Sequence, residues 1–329
     1  MARNAPGLHF RVGLSLIEIM ELFPDEEAAT KWFEAVYWQQ TRCCGKCGST
    51  NTREASHKTM PYWCSDCRGY FSVRTGTPLA SSKVPLRKWA IAIYLCLTSL
   101  KSVSSMKLHR DLDVTQQTAW FMLHRIREAW MPEADDGPPY DGPVEVDETY
   151  MGGKRRNMSN AQRRELADTG RGTAGKTAVV GAKDRDTKRV RAQVVSTTDK
   201  VTLQDFVWDN AQTGATVYTD EAAAYQGLPD LYFEHEAVKH SVAEYVRDQA
   251  HTNGIESFWS MLKRAHTGTF HKLSPKHLNR YVQEFAGRHN LRRLDTLDQM
   301  RTVVVRLAGR TLPYRLLVAD NGLPSGARA

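Results

Sequence analysis

Three acidic residues and four cysteines carry the chemistry that is legible in this chain. Asp147 lies inside Val144-Glu145-Val146-Asp147-Glu148-Thr149-Tyr150, an otherwise β-prone run. A carboxylate buried in a strand is costly unless a cation or hydrogen-bond donors satisfy it. Asp220 follows the strand-like stretch Ala215–Thr219, and open α/β sheets gather ligands at such carboxyl ends. Glu256 comes two residues after Gly254, at the start of a helical pattern, with thirty-five residues (221 to 255) between it and Asp220. Taken singly, Asp147 fits a structural or surface role as well as a chemical one. Asp220 alone could cap a short helix over Glu221–Tyr225. It is the set, placed strand, strand and helix, that points to one site.

On the helix Gly254–His266, the residues Glu256, Ser260 and Lys263 fall at i, i+4 and i+7 and share a face, while Phe258, Leu262 and Ala265 face the other way. An acid and a lysine on one face can address the same bound object while the opposite face packs. Trp259 has two readings, packing in the core or stacking on an unpaired base. Packing is the favoured one.

The cysteines form a second constellation. Cys44-x2-Cys47 and Cys64-x2-Cys67 stand sixteen residues apart. Each pair presents two thiolates from one tight turn, and two turns complete the tetrahedral sulfur shell of a structural zinc ion. A closed shell leaves no position for substrate, so this Zn2+ folds a module and does no chemistry. Cys43, next to the first pair, is a spectator or a substitute for Cys44; Cys96 lies in an apolar helix and reads as core. The aromatic residues Tyr62, Trp63, Tyr70 and Phe71 read as the ribbon's small core ahead of a base-stacking platform.

Several elements must position these groups. Residues 15–38 read as two short amphipathic helices broken at Pro24-Asp25, with Asp25 capping the second. Residues 85–130 read as helical, with breaks near Ser99–Ser102 and Asp113. Within them, Val103–Leu112 and Thr115–Trp130 flank a short turn in the manner of a helix-turn-helix, the second helix capped by Thr115. That motif would turn Gln116, Gln117 and Arg125 towards base edges; an ordinary helical hairpin is the alternative. Glu133–Pro143 is rich in Pro, Gly and Asp and reads as a linker. Beyond it the pattern becomes α/β: a strand over Val144–Tyr150, a hairpin of Thr177–Lys183 and Arg189–Val195, a helix over Asp199–Gln212, strands over Ala215–Thr219 and Phe233–Val238, and helices over Gly254–His266 and Pro275–Leu291. Residues 152–176 hold seven Lys/Arg and two acids among glycines and read as a mobile loop. The expected domains are a helical segment 1–40, a zinc ribbon 41–80, a helix-turn-helix-like module 81–132, a linker 133–143, an α/β domain 144–300, and a basic C-terminal segment and tail 301–329.

Composition narrows the partners. The chain of 329 residues has a formal charge of +8, which suits a polyanion. The charge is uneven: residues 1–40 balance to −3 and residues 257–310 to +8. Glu18 and Glu21 interrupt the only apolar stretch near the N-terminus, which argues against a signal peptide. The run Trp89–Leu97 is too short for a membrane span. A cytoplasmic protein, with no membrane partner, is expected.

Together, VEVDETYMGGKRRN (144–157), VVGAKDRDT (179–187), VYTDEAAAY (217–225) and HTNGIESFWSMLKRAHTGTFHKLS (251–274) resemble the bacterial insertion-sequence transposases that join an N-terminal zinc ribbon to an RNase H-like DDE domain. The resemblance spans residues from about 15 to 300. It implies an α/β fold with a mixed sheet flanked by helices, and Asp147, Asp220 and Glu256 as ligands of two Mg2+ (or Mn2+) ions. Lys263 matches the family's basic residue. Members carry either Glu or Asn as the third residue, so Asn253 stands beside Glu256 as the alternative ligand. The implied activity is cleavage of element ends and joining of the 3′ ends to target DNA. The implied partners are DNA, as terminal inverted repeats and target, and a second copy of the chain on that DNA; nucleoid association follows. Lys263, Arg264 and the basic 257–310 segment would hold phosphates. A DNA-binding regulator, an inactive transposase relic and an RNase H-like endonuclease are the alternatives.

Overall fold

The computed structural model describes residues 12–132, 137–153, 158–166, 173–220, 222–238 and 251–325. The chain divides into two compact units, 1–131 with 291–320, and 132–290 with 321–329.

The first unit holds helices α1 (Leu16–Leu22), α2 (Glu26–Trp38), α3 (Leu86–Thr98), α4 (Ser105–Leu112) and α5 (Gln116–Arg127), with α10 (Thr296–Arg306) and α11 (Tyr314–Val318) from the far end of the chain. Local chemistry sets the starts: Ser15 and Glu18 form a capping box on α1, Asp25 caps α2, and Thr115 caps α5 through the Thr118 N–H. Asp113, at φ 48°, closes α4 in the left-handed conformation that short polar side chains tolerate. The core of this unit is helical, built on Phe23, Phe33, Trp89, Ile93, Leu108, Met122 and Ile126, with Met300, Val303 and Val304 of α10 filling it. Residues 291–306 therefore pack with the N-terminal helices. Set between α2 and α3 in the chain, β1 (Thr52–Glu54), β2 (Tyr62–Cys64) and β3 (Gly69–Phe71) form a three-stranded antiparallel sheet.

The second unit is an α/β sandwich. Its five strands are β4 (Val144–Met151), β5 (Thr177–Asp184), β6 (Val190–Val195), β7 (Thr216–Asp220) and β8 (Glu234–Val238), in spatial order β6-β5-β4-β7-β8. The first three run antiparallel as a meander; β7 and β8 are parallel to β4. This mixed sheet flanked by helices is the RNase H-like architecture that the sequence motifs imply. One face carries Val144, Val146, Val180 and Ala182 against Leu203, Phe206 and Val207 of α7 (Lys200–Asn210). The other carries Val179, Val190 and Ala192 against Ile255, Phe258 and Leu262 of α8 (Asn253–Ala265) and Tyr281, Val282 and Phe285 of α9 (Pro275–Leu291). Adjacent residues of one strand thus serve opposite layers, as the two-residue period of a strand requires.

Two stretches differ from the expectation. Within the polar segment 152–176, the described part 158–166 contains a short helix, α6 (Asn160–Glu165); a run of good helix formers is enough for one turn despite the surrounding glycines. The short helix expected over Glu221–Tyr225 is a 3-10 turn over Ala223–Tyr225, residue 221 lying outside the described residues. Among the described residues no helix is long and apolar enough to cross a membrane.

Candidate active site

The parallel pairing of β4 with β7 sets Val144 against Val217 and Glu145 against Tyr218. Continuing that register, Asp147 in the middle of β4 comes side by side with Asp220, the last residue of β7. Asp147, Glu148 and Asp220 each offer a carboxylate oxygen to a group whose atoms all lie within 4.8 Å of one another. Glu148 reaches this group although it leaves the strand on the other face from Asp147. It is held there by Tyr225, whose hydroxyl donates to Oε1 at 2.6 Å. The sequence motif contains Glu148, yet an acid following an acid on a strand reads as pointing away.

Electrostatics mark the same place. Burial pushes the Asp147 carboxyl up to about 6, with the charges of Asp220 and Glu256 adding to the effect. Burial, then the neighbouring Asp220 and Asp147, push Glu148 up to about 7 against the Tyr225 hydrogen bond. Crowded, half-desolvated carboxylates are unfavourable by themselves and are relieved by a cation. The donor set is all oxygen, which fits a hard divalent ion bound at about 2.0–2.6 Å.

Helix α8 packs across β4 and β5 beside these acids and brings the other predicted residues. Its exposed face carries Asn253, Glu256, Ser260 and Lys263, and its buried face Ile255, Phe258, Trp259, Leu262 and Ala265. Glu256 stands outside the three-carboxylate group, accepting from Thr252 Oγ1 at 2.9 Å, but close enough for its charge to act on Asp147. Arg264 is exposed and donates to Ser260 O at 3.1 Å. Trp259 differs from the stacking role. It is 3% exposed, and its indole N–H donates to Asp147 Oδ2 at 3.0 Å. A ring so buried has no face to offer a base; its part is to fix one oxygen of Asp147. Gly181, paired with Asp147 across β4 and β5, makes this possible: a Cβ there would lie 2.7 Å from the Trp259 ring.

The start of α8 is fastened to β4 by residues that motif reading leaves unassigned. Thr252 precedes the helix without capping it through its side chain. Glu145 does so from the sheet, Oε2 accepting the Ile255 N–H at 2.8 Å. Its other oxygen accepts from Arg185 Nε at 2.9 Å, and His251 Nδ1 lies 3.5 Å away. Arg185 also donates to the His251 carbonyl and stacks over Tyr218 at 4.0 Å. Lys183 Nζ donates to Gly254 O at 3.0 Å. Gly254 must lack a side chain, because a Cβ would lie 2.5 Å from Glu145 Oε2 and 2.8 Å from Lys183 Nζ. Glu145 and Asp147 share one face of β4 at i and i+2, so the strand that presents the acid also anchors the helix bearing Asn253 and Glu256. The signal in sequence was a second acid two places before Asp147; its partner is forty residues away.

Asp220 Oδ1 accepts the Ala222 N–H at 3.0 Å. The helix-capping role considered for Asp220 is not realised: the turn Ala223–Tyr225 starts from Ala222 with no side-chain cap, and the Asp220 bond is a local one, two residues on.

In the first unit, Cys44, Cys47, Cys64 and Cys67 gather their sulfurs within 4.8 Å of one another, with Cys44–Cys67 at 3.7 Å and Cys47–Cys64 at 3.6 Å. A tetrahedral zinc with Zn–S of about 2.3 Å has sulfurs about 3.8 Å apart, so the cluster fits the ion closely. The thiolate of Cys64 is favoured by backbone N–H groups of Cys67 and Asp66, which bring its thiol down to about 7. Cys43 and Cys96 stand outside the cluster. The ribbon's aromatics split by face: Tyr62 and Phe71 pack on Trp38, while Trp63 and Tyr70 meet edge to face at 4.7 Å on the other side, where Tyr70 is exposed. Of the residues proposed to read DNA bases, Gln116 and Gln117 are exposed at the start of α5, with Gln116 Nε2 donating to Ser105 Oγ at 2.8 Å. Arg125 is half-buried with its guanidinium 4.1 Å over the Phe121 ring.

An RNase H-like sheet with acids on adjacent parallel strands, joined in one chain to a four-cysteine ribbon, defines the class of protein. Residues 139–290 match the family model described as the ISXO2-like transposase domain. The chain is 30% identical over 298 residues to an uncharacterized protein in transposable element ISH50 of Halobacterium salinarum, covering 87% of this chain and 98% of that one. It belongs to the insertion-sequence transposases that carry this domain. A solved chain from the simian T-cell lymphotropic virus intasome in complex with PP2A regulatory subunit B56 gamma overlays at a TM-score of 0.28 and 12% identity, covering 55% of this chain and 67% of that chain; a score so low carries no argument.

Proposed function

We propose that this transposase cuts and joins DNA phosphodiesters at the carboxylate group of β4 and β7, cleaving element ends and joining their 3′ ends to target DNA. The observation that carries the reading is the close approach of Asp147, within β4, and Asp220, at the end of the neighbouring β7, with Glu148 in the same 4.8 Å group. Asp147 and Asp220 are the residues that hold divalent metal, Mg2+ or Mn2+. Such ions, in a pair, supply activation of the attacking oxygen and stabilisation of the leaving one. Trp259 orients the Asp147 carboxylate, and Tyr225 orients Glu148. Glu256 and Asn253, exposed on the first turn of α8, are the candidates for completing the site from the helix side. Glu148 is a third candidate that the geometry adds. Lys263, two turns further along the same face, and Arg264 hold DNA phosphate. The four-cysteine ribbon holds a structural Zn2+. A second copy of the chain, pairing two element ends, is the expected partner on DNA.

The test is cleavage of labelled terminal-repeat DNA in Mg2+. Asp147→Ala and Asp220→Ala should each abolish cutting while DNA binding persists, and comparable cutting by either variant would overturn the assignment. Glu256→Gln, Asn253→Ala and Glu148→Gln, compared singly, identify the third ligand as the one costing orders of magnitude in rate. Joined products identify a transposase, nicks without joining an endonuclease.

A further inference from the structure

A cavity of about 570 Å³ opens in the first unit between the residues leading into α3, the exposed side of α5, and Tyr314 at the start of α11. Its size is that of a small-ligand site. Its charged lining is entirely cationic: Lys83, Lys88 and Arg125, with no acid among the lining residues. Arg125 lies over the Phe121 ring, and its Nε is buried without a hydrogen-bond partner. A buried guanidinium nitrogen left unsatisfied is unfavourable and asks for an acceptor. Desolvation lowers the Arg125 pKa, consistent with a cation awaiting a counter-charge. Phe121 in turn meets Tyr314 edge to face, with ring centroids 5.5 Å apart and planes at 87°. Tyr314 remains 45% exposed, leaving ring surface on the rim of the cavity.

Cations in a groove beside an open aromatic ring are the combination that binds single-stranded nucleic acid, the charges following the backbone and the ring stacking a base. A duplex keeps its bases inside its own stack and cannot enter a pocket of this size; one unpaired nucleotide can. We propose that this groove takes an unpaired nucleotide of a DNA strand, its phosphate on Lys83 and Arg125 and its base on Tyr314. The proposal rests on the reading of DNA as substrate, and it places the contact away from the base-edge role considered for Arg125 in a helix-turn-helix.

The test uses the full chain with zinc retained and without added Mg2+. Fluorescence anisotropy compares a blunt element-end duplex with the same duplex carrying an unpaired 3′ extension that contains 2-aminopurine. The wild type should prefer the extended DNA and quench the 2-aminopurine. Tyr314→Ala should lower affinity for the extension by about 5- to 150-fold, the worth of one aromatic–base stack, and leave blunt binding unchanged. Tyr314→Phe should restore both signals. Lys83→Ala should weaken extended-DNA binding and reduce its salt slope by about 1. Both altered side chains are exposed, and matching melting temperatures confirm that the variants fold. Equal binding of both DNAs by the wild type, or equal loss on both DNAs in Tyr314→Ala, overturns the proposal. With a parallel cleavage reaction in Mg2+, blunt duplex bound and cut without preference for the extension rejects the groove alone; absence of binding, and of cutting in Mg2+, on any DNA rejects the transposase chemistry as well.

Discussion

Replacing Glu145 by Ala should undock α8 from the sheet. The side chain is 3% exposed and pairs with Arg185, itself 13% exposed, while its second oxygen caps the helix at Ile255. Removing one partner of a buried ion pair costs about 3–5 kcal/mol, because the remaining charge is stranded. An ordinary hydrogen bond is worth only about 1 kcal/mol, so the stranded Arg185 dominates. Set against a whole-protein stability of about 5–15 kcal/mol, the loss is large, and it falls on one helix. Amide hydrogen exchange through residues 255–262 is the suitable assay, since it reads local opening. Exchange of α8 in Glu145→Ala should rise by about two to four orders of magnitude, with the sheet amides of β5 changing less. Glu145→Gln, which keeps an acceptor for Ile255, should fall between. The paired change of Glu145 and Arg185 to Met should recover much of the protection, because no charge is left buried. Exchange of α8 in Glu145→Ala within about tenfold of the wild type would refute the reasoning, since that bound corresponds to about 1.4 kcal/mol.

Two further outcomes follow from the two candidate metal centres. Cys64→Ser should release zinc and unfold the ribbon, seen as loss of stoichiometric metal in elemental analysis together with faster exchange over residues 52–71, because a small sheet with so little core depends on its ion; retained zinc at wild-type stoichiometry would count against the four-sulfur shell. Asp147 is an acid held above its ordinary value, so the native state binds its proton more tightly than the unfolded chain does. Its contribution to stability is therefore present at pH below about 4 and lost as pH rises towards about 6, by up to about 1.4 kcal/mol per pH unit. Urea unfolding without added divalent metal should show this decline between pH 4 and 6 in the wild type and a flatter profile in Asp147→Asn; parallel profiles would remove the electrostatic account of the site.

The α8 fastening also explains a division of labour on β4. Odd-numbered positions 145 and 147 turn to the α8 side, one to anchor the helix and one to meet Trp259. Glu148 turns to the α7 side and is drawn to the same centre by Tyr225. A single strand thereby sets the helix, one acid of the carboxylate group and its neighbour. Shifting its register by one residue would exchange the two faces and scatter all three.

Much of the molecule was determined by sequence alone. Two Cys-x2-Cys turns specify a four-sulfur cluster whatever surrounds them, since each pair is preorganised within its own turn. The apolar stripe of α8 fixed which face of Asn253–Ala265 packs and left Asn253, Glu256, Ser260 and Lys263 outside, and alternating and β-branched runs gave the strands of the mixed sheet. Tertiary structure decided what the acids touch. Asp147 and Asp220 became neighbours only through the parallel register of β4 and β7, and Glu148 joined them only because Tyr225, seventy-seven residues on, holds it there. The bonds of Glu145 to Arg185 and Ile255, the seat of Trp259 over Gly181, and the packing of α10 with the N-terminal helices rest likewise on pairs forty or more residues apart. Local periodicity records which way a side chain points, because that follows from the backbone's own repeat; it holds no record of the partner, because the partner arrives by chain crossing and close packing.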